Sequence, residues 1–173
     1  MSTPSTDSHL VYLALGSNLG IRSNNLQNAR AALEMQGWLR ASSPIYETPP
    51  WGIVDQPAFL NQVVQIETSL SPVKLLSFLK RLEAQLGRIP AERYRPRLID
   101  IDILFYNNKI VERRKLKIPH PRLAERAFVL VPLADLAPQL RHPISHKSVS
   151  EMLSHVDSTG IKRYSTRSNR EDD

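Results

Sequence analysis

Residues 59–86 read FLNQVVQIETSLSPVKLLSFLKRLEAQL, and they join a strand pattern to a helix pattern through a short polar turn. Apolar side chains alternate through Phe59–Thr68, which predicts a strand whose two faces differ. Ser71 is a favoured N-cap residue, and Pro72 after it suits the first helical position. Leucines recur at positions 75, 79, 82 and 86 and Gly87 follows, so a helix is predicted from Pro72 to Leu86.

The same two patterns recur on both sides of this stretch. Toward the N-terminus the sequence predicts a strand over His9–Leu15, a helix over residues 22–36 and a strand through Ile45-Tyr46. Toward the C-terminus it predicts a strand over Leu98–Tyr106 and a helix over Phe128–Leu136. Several connections are too short for a parallel crossover, so neighbouring strands are expected to pair antiparallel. The predicted fold class is α+β.

Size and composition limit what kind of protein this can be. The chain has 173 residues, of which 41% are hydrophobic and 23% charged, a balance typical of a globular domain. We assign the domain to residues 9–158 and expect residues 1–8 and 159–173 to be disordered tails. No apolar run approaches the ~20 residues of a membrane-spanning helix, and no secretory signal pattern is present. No membrane partner is therefore expected. Cysteine is absent, which excludes disulfides and fits a cytoplasmic protein, although other compartments also suit a chain without cysteine.

Positive charge is concentrated in one part of the chain. Residues 80–126 hold thirteen Lys and Arg against six Asp and Glu, a surplus of seven, whereas the whole chain has a net charge of +6. A local surplus of this size points to an anionic ligand bound by this region. A basic face that is merely solvated is the alternative interpretation.

Two carboxylates stand within the predicted strand 98–106. Asp100 and Asp102 are two residues apart, so their side chains emerge on one face, ~6.6 Å apart at Cα, while Ile99, Ile101 and Ile103 point to the other face. Oxygen ligands in this arrangement suit two Mg²⁺ ions ~3.5–4 Å apart, which can bridge phosphate oxygens. An Asp-x-Asp pair that is only a polar strand face is the alternative.

Directly before this strand the sequence holds four arginines, at positions 88, 93, 95 and 97. Guanidinium groups bind phosphate oxygens in a bidentate manner and stabilise the charge that develops in phosphoryl transfer. The segment 88–97 also contains two prolines and little apolar area, which predicts a lid that becomes ordered once nucleotide and its co-substrate are both bound. Ion pairs of some of these arginines with Asp100, Asp102 or Glu92 are the alternative.

Eight short motifs follow one another along residues 9–156. They are LGSNLG (15–20), YETPPWG (46–52), DQPAFLN (55–61), GR (87–88), RLIDIDIL (97–104), IPHPRL (118–123), ERAFVL (125–130) and PL (132–133). Each motif is weak alone, but their order and spacing together resemble the 6-hydroxymethyl-7,8-dihydropterin pyrophosphokinases. The chain departs from that family's pattern in segment 89–97, which is one residue shorter and has Tyr94 for Trp and Arg95 for Gly.

This resemblance implies a three-layer α/β/α fold around a mainly antiparallel sheet, with a ferredoxin-like core. It also implies transfer of the β,γ-diphosphate of ATP to the hydroxymethyl oxygen of the pterin, with release of AMP. Carried over by motif, Asp100 and Asp102 hold two Mg²⁺ ions and act in catalysis with Arg88 and Arg97. The implied ATP site is lined by Glu83, Arg88, Arg93, Arg97, Ile103, His120 and Arg126. The implied pterin slot is lined by Asn18, Thr48, Pro49, Trp51, Phe59, Asn61 and Phe128.

Two rival functions stay open from the residues alone. A nucleic-acid-processing enzyme with two metal ions also combines Asp-x-Asp with arginines, but it needs a long basic track that the chain lacks outside residues 80–126. An RNA-binding module of ferredoxin-like topology needs aromatic residues on adjacent exposed strands and gives Asp100 and Asp102 no role. We therefore expect ATP and the pterin as ligands, no nucleic-acid partner, and a monomer.

Overall fold

The computed structural model describes residues 7–49, 55–87 and 98–165. Its elements in chain order are β1 (His9–Ser17), α1 (Arg22–Met35), β2 (Leu39–Ser42), β3 (Tyr46–Thr48), β4 (Phe59–Thr68), α2 (Pro72–Gln85), β5 (Asp100–Tyr106), β6 (Val111–Arg113), β7 (Leu116–Ile118), α3 (Ala127–Leu136), α4 (Val149–Ser154) and β8 (Lys162–Arg163). A short 3-10 turn, Leu123–Glu125, precedes α3. Within these three ranges no helix is long and apolar enough to cross a membrane.

Six of the strands form one antiparallel sheet. β5, β1, β4, β3 and β8 lie side by side in that order, and β2 also pairs with β4. The core runs β1-α1-β2-β4-α2-β5 along the chain and β5-β1-β4-β2 across the sheet, which is the ferredoxin-like arrangement. β6 and β7 form a separate hairpin. The predicted fold class is confirmed.

Two hydrophobic cores lie on opposite faces of this sheet. On one face Leu13 of β1 packs with Leu33 of α1 and Leu79 of α2. On the other face Val63 of β4 packs with Leu130 of α3 and with side chains of α4. The sheet is therefore the middle of three layers, with α1 and α2 on one side and α3 and α4 on the other.

The capping residues set the ends of α2 as the sequence predicts. The Ser71 hydroxyl accepts a hydrogen bond from the Lys74 N–H over 3.4 Å, and Pro72 occupies the first turn. Gly87 adopts a φ of 95°, a left-handed conformation that ends the helix. The helix brings Glu83 to the edge of β5, which is the part of the sheet that carries the two aspartates.

The prediction of a disordered tail from residue 159 is wrong for residues 161–165. Lys162–Arg163 form the edge strand β8, which pairs with β3, and the Tyr164 N–H donates to the Ile45 carbonyl over 2.8 Å. The Tyr164 side chain packs against the core on the α1 face. These polar residues are ordered because the open edge of β3 offers them backbone hydrogen bonds, which their own composition does not reveal. Residues 1–6 and 166–173 lie outside the described residues.

Candidate active site

β5 presents two carboxylates on the face of the sheet that α3 covers. Asp102 pairs with Ala14 of β1, and Ala14 packs against the core of the α3 face, so Asp100 two residues earlier shares that face. Both aspartates are partly buried, while Ile101 between them is buried in the opposite core. The carboxylates therefore emerge side by side, as their spacing predicts.

A glycine separates these carboxylates from the polar end of β4. Gly16 of β1 lies opposite Asn61 in one pairing and opposite Asp100 in the other. Two strand spacings separate Asn61 from Asp100, which places their Cα atoms ~10 Å apart on the same face. Because Gly16 has no side chain, β1 places only backbone between Asn61 and Asp100, and we call this stretch the trough. A Cβ added at Gly16 would lie 3.0 Å from Asn61 Oδ1.

Asn61 and Thr48 form a buried polar pair at the far end of this trough. Asn61 Nδ2 donates to Thr48 Oγ1 over 2.6 Å, and the two residues are 9% and 2% exposed. Phe59 stands next to them, in register with Thr48. The Asn61 amide has two N–H donors and two acceptor positions, so the Thr48 bond leaves it able to read the polar edge of a flat ring.

Glu83 holds the strand between the two aspartates. Its side chain is 1% exposed, and Oε1 accepts a hydrogen bond from the Ile101 N–H over 3.0 Å. Lys80 lies one turn earlier on α2, with Nζ 3.7 Å from the same oxygen. The Glu83 side chain therefore positions β5 by binding the β5 backbone. Lys80 adds a cation to the site that was not predicted from the sequence. The i,i+3 spacing of the two residues on α2 was the available signal.

Two substitutions of Glu83 distinguish the effect of its hydrogen bond from the effect of its charge. Glu83→Gln and Glu83→Ala both remove the negative charge, but only Ala removes the acceptor of the Ile101 N–H. A buried N–H without an acceptor costs about 1–3 kcal/mol, so we expect the Ala variant to be less stable than the Gln variant by about that amount. Urea unfolding without Mg²⁺ measures the difference. Equal stability of the two variants would contradict the positioning role.

The carboxylate pair carries unfavourable electrostatics without a cation. Burial, and then the neighbouring charge of Asp100, raise the pKa of Asp102 to about 7. Lys80 and Arg126 act in the opposite direction but do not restore the usual value. Because the site disfavours a second negative charge, a cation bound between the two carboxylates would stabilise their ionised forms.

His120 stands beside this cluster as a neutral ring. Burial, and then the Arg126 cation, lower the pKa of His120 to about 4, against the attraction of Asp100. Its Nδ1 accepts a hydrogen bond from the Arg122 N–H over 3.2 Å, which leaves the proton on Nε2. His120 therefore offers one N–H donor at neutral pH and adds no charge.

The comparison with known families decides which family this site belongs to. The family model described as 7,8-dihydro-6-hydroxymethylpterin-pyrophosphokinase (HPPK) matches residues 12–138, which is most of the chain and includes Asn61, Asp100, Asp102 and His120. The chain belongs to the HPPK family. The predicted family is thereby confirmed.

Curated relatives of two kinds are similar to this HPPK family member. The chain is 46% identical over 154 residues to the 2-amino-4-hydroxy-6-hydroxymethyldihydropteridine pyrophosphokinase of Methylorubrum extorquens, covering 88% of this chain and 96% of that protein. It is 42% identical over 168 residues to the folic acid synthesis protein fol1 of Schizosaccharomyces pombe, covering 96% of this chain and 23% of that protein. The chain thus spans less than a quarter of the length of this longer relative and of those from Dictyostelium discoideum and Pneumocystis carinii.

A solved structure supports the fold independently. The crystal structure of Plasmodium falciparum HPPK-DHPS with pteroate matches with a TM-score of 0.70 and 16% identity. The match covers 85% of this chain and 42% of that chain. The likeness agrees with the three layers and the strand order described above.

Two residues predicted for the HPPK site have buried side chains, and their contacts with ligands stay predictions. Ile103 is 5% exposed and packs in the core with α1 and α2, because it points away from the aspartates. Asn18 is 1% exposed, and its Nδ2 donates to Gln56 Oε1 and to the Pro57 carbonyl over 2.9 and 3.1 Å. Asn18 therefore supports the loop before β4, and its contact with a pterin stays a prediction.

Some of the remaining predicted residues are described by the structure, and others lie outside the described ranges. Phe128 is half-buried on α3, and the Arg126 guanidinium lies 5.6 Å above its ring, so both belong to the face that carries the aspartates. Pro49 follows β3 directly. The predicted roles of Arg88, Arg93, Arg97 and Trp51, and the predicted lid over residues 88–97, lie outside the described residues.

The chemistry of the site fits magnesium. Asp100 and Asp102 provide hard oxygen ligands on one face, and their mutual repulsion favours a divalent cation between them. Among the residues that the structure describes, no group of three or more His, Cys, Asp or Glu side chains is placed to hold a metal. Two carboxylates suit Mg²⁺, since this ion takes its other positions from water and substrate phosphates.

Proposed function

We propose that the chain transfers pyrophosphate from ATP to the hydroxymethyl group of 6-hydroxymethyl-7,8-dihydropterin, with release of AMP, as a step in folate synthesis. The observation that carries this proposal is the row Asn61–Gly16–Asp100 across three adjacent strands. A group that can read a heterocycle edge stands at one end, and a carboxylate stands at the other. The trough between them has the length of a two-ring compound with a short substituent, whose hydroxyl would then lie near the carboxylates.

The phosphate end of the site carries out the transfer. Asp100 and Asp102 would hold two Mg²⁺ ions, and bound Mg²⁺ would neutralise phosphate charge and orient the transferring group. Lys80 and Arg126 lie close enough to act on the charge of Asp102, so they add positive charge where a polyphosphate would lie. His120 supplies a neutral N–H donor to a phosphate or base atom.

The pterin end of the site recognises the acceptor. Thr48 orients the Asn61 amide through their hydrogen bond, so the amide faces the trough in one orientation. Phe59 on the sheet and Phe128 on α3 would cover the two faces of the ring, in an offset stack. The Arg126 cation lies above the Phe128 ring, so Phe128 stands next to a positive charge of the phosphate end.

One assay tests the proposed function. AMP release from ATP is measured with and without 6-hydroxymethyl-7,8-dihydropterin, and with and without Mg²⁺. The proposal requires that release depends on both. AMP release that is unchanged by the pterin, or that depends on RNA or DNA instead, would favour a nucleic-acid-processing or RNA-binding function.

Removing the Asn61 amide should weaken pterin binding selectively. Asn61→Ala leaves polar groups of the buried pterin without a partner, which costs about 1–3 kcal/mol, or about 5- to 150-fold in affinity. Gln65→Ala is the control, because Gln65 lies on the same face of β4 but donates to the Tyr12 hydroxyl instead. Calorimetry with an ATP analogue and Mg²⁺ measures both variants. Unchanged pterin affinity in Asn61→Ala would contradict the assigned slot.

The assembly and cellular location of the enzyme are also proposals. We propose a monomer, because the proposed site is built from elements of a single chain. We propose a cytoplasmic enzyme on the absence of cysteine and on the small polar substrates. Sedimentation of the full chain tests the first proposal, and cell fractionation tests the second.

A further inference from the structure

Arg22 joins three separate segments of the chain. It opens α1, and its Nη1 donates to the Ala58 carbonyl over 2.8 Å. Its Nη2 lies 2.8 Å from Glu47 Oε2, and its guanidinium lies 5.9 Å from the centre of the Tyr164 ring. The Arg22 side chain is 23% exposed, so these contacts are partly shielded from water.

The two polar contacts of Arg22 lie one residue from the proposed pterin slot. Glu47 precedes Thr48 on β3, and Ala58 precedes Phe59 on β4. Thr48 and Phe59 are paired across the two strands. Arg22 therefore connects β3 to β4 at the level where the slot begins, through one carboxylate and one backbone carbonyl.

β3 depends on such contacts because it is only three residues long. A strand of this length has few backbone hydrogen bonds of its own with which to fix its position. β8 pairs with its outer edge through Glu47 and Lys162, and Tyr164 next to β8 lies under Arg22. On the α3 face the Tyr46 hydroxyl donates to Asp135. Arg22 contacts β3, the residue before β4 and the residue after β8 with one side chain.

We infer that Arg22, supported by Tyr164, is a positioning residue for the pterin slot. It fixes the position of the paired residues Thr48 and Phe59 at the start of the slot, without contacting the substrate itself. The inference rests on the proposed function, because it concerns how that slot is held. It also gives the C-terminal segment 161–165 a part in pterin binding.

The test compares three variants of the full chain with a matched control. Arg22→Ala removes all three contacts, Arg22→Lys keeps the charge but loses the planar fork, and Tyr164→Ala removes the supporting ring. Arg40→Ala is the control, since Arg40 also pairs with a glutamate, Glu67 at 3.5 Å, and donates to a backbone carbonyl, that of Gly37 at 2.8 Å. Arg40 lies on β2, away from the slot.

Calorimetry measures binding of an ATP analogue with Mg²⁺, and then of 6-hydroxymethyl-7,8-dihydropterin to that complex. We expect Arg22→Ala to weaken pterin binding at least tenfold and Arg22→Lys and Tyr164→Ala at least threefold. Affinity for the ATP analogue should stay within twofold in all variants and in Arg40→Ala. In steady-state kinetics the KM for the pterin should rise, while kcat at saturating pterin stays within threefold.

Other outcomes overturn the inference. Pterin affinity within twofold of wild type in both Arg22 variants would show that the slot does not need Arg22. Equal weakening of pterin and ATP analogue, or an equal effect of Arg40→Ala, would mean a general loss of stability. If Arg22→Ala does not fold, Arg22→Lys and Tyr164→Ala decide by the same criteria. Failure of the proposed function is seen separately, as wild-type protein that releases no AMP in a pterin-dependent way.

Discussion

Asp100→Asn and Asp102→Asn are each expected to reduce turnover by about 10³-fold or more while the protein still folds. An amide is a poor Mg²⁺ ligand, and loss of one ligand removes transition-state stabilisation of about 4 kcal/mol or more. Single-turnover AMP formation at saturating Mg²⁺ measures the effect. Glu112→Gln serves as the control, because Glu112 is an exposed acid of the β6–β7 hairpin. Activity within threefold of wild type in either aspartate variant would rule out the two-metal assignment.

Asp102→Asn should also stabilise the metal-free protein, by an amount that depends on pH. The pKa of Asp102 is raised to about 7 in the folded state and is about 4 in an unfolded chain, so the folded state binds the proton more tightly. The contribution of Asp102 to wild-type stability is therefore highest below pH 4 and falls as pH rises toward 7. Asp102→Asn lacks this loss, and its stability advantage over wild type should grow from near zero at pH 4 to at most about 4 kcal/mol at pH 8.

Thermal or urea unfolding in EDTA across pH 4–8 checks this dependence. Added Mg²⁺ should stabilise wild type at pH 8 and have little effect on Asp102→Asn. A variant that is less stable than wild type at pH 8 without metal would show that Asp102 is held by favourable contacts instead. Asp102→Asn is thus expected to lose activity and gain stability. This is the pattern of a metal ligand whose negative charge destabilises the fold but is needed for function.

Local sequence patterns were sufficient for the long elements of the fold. The alternation in Phe59–Thr68 and the Ser71-Pro72 cap describe β4 and α2 correctly, because each signal comes from neighbours within one element. β2 and β8 were missed, since strands of four and two residues carry almost no periodicity. They form because a neighbouring strand offers unpaired backbone groups, and that neighbour is distant in the sequence.

The same distinction divides the candidate site. Asp100 and Asp102 could be predicted as a pair because their spacing of two alone puts them on one face. The burial of Glu83 and its bond to the Ile101 N–H depend on how α2 lies against β5. The place of Gly16 opposite both Asn61 and Asp100 depends on the register of three strands. Register is a long-range property, so the sequence alone does not place Gly16 opposite either residue.

Gly16→Ala is expected to reduce kcat/KM for the pterin by about 100-fold, near the upper end of the 1–3 kcal/mol that an added buried methyl group costs. Ala can adopt this backbone conformation, because Gly16 is not among the glycines with positive φ. The effect comes from space instead. The new Cβ would stand 3.0 Å from Asn61 Oδ1 and 3.8 Å from Phe59 Cδ1, so it would displace the Asn61 amide and narrow the trough.

A double variant shows whether the methyl group acts through Asn61. The clash with Asn61 should lower the melting temperature of Gly16→Ala, and this loss should disappear in an Asn61→Ala background, where the clash partner is gone. Pterin affinity should stay low there, because the methyl group still fills the trough. Affinity for an ATP analogue with Mg²⁺ should stay within twofold in every case, since Asp100 and Asp102 project from the neighbouring strand and keep their positions. Normal pterin kinetics in Gly16→Ala would mean that the ring does not cross β1, and the path from Asn61 to Asp100 would then have to be abandoned.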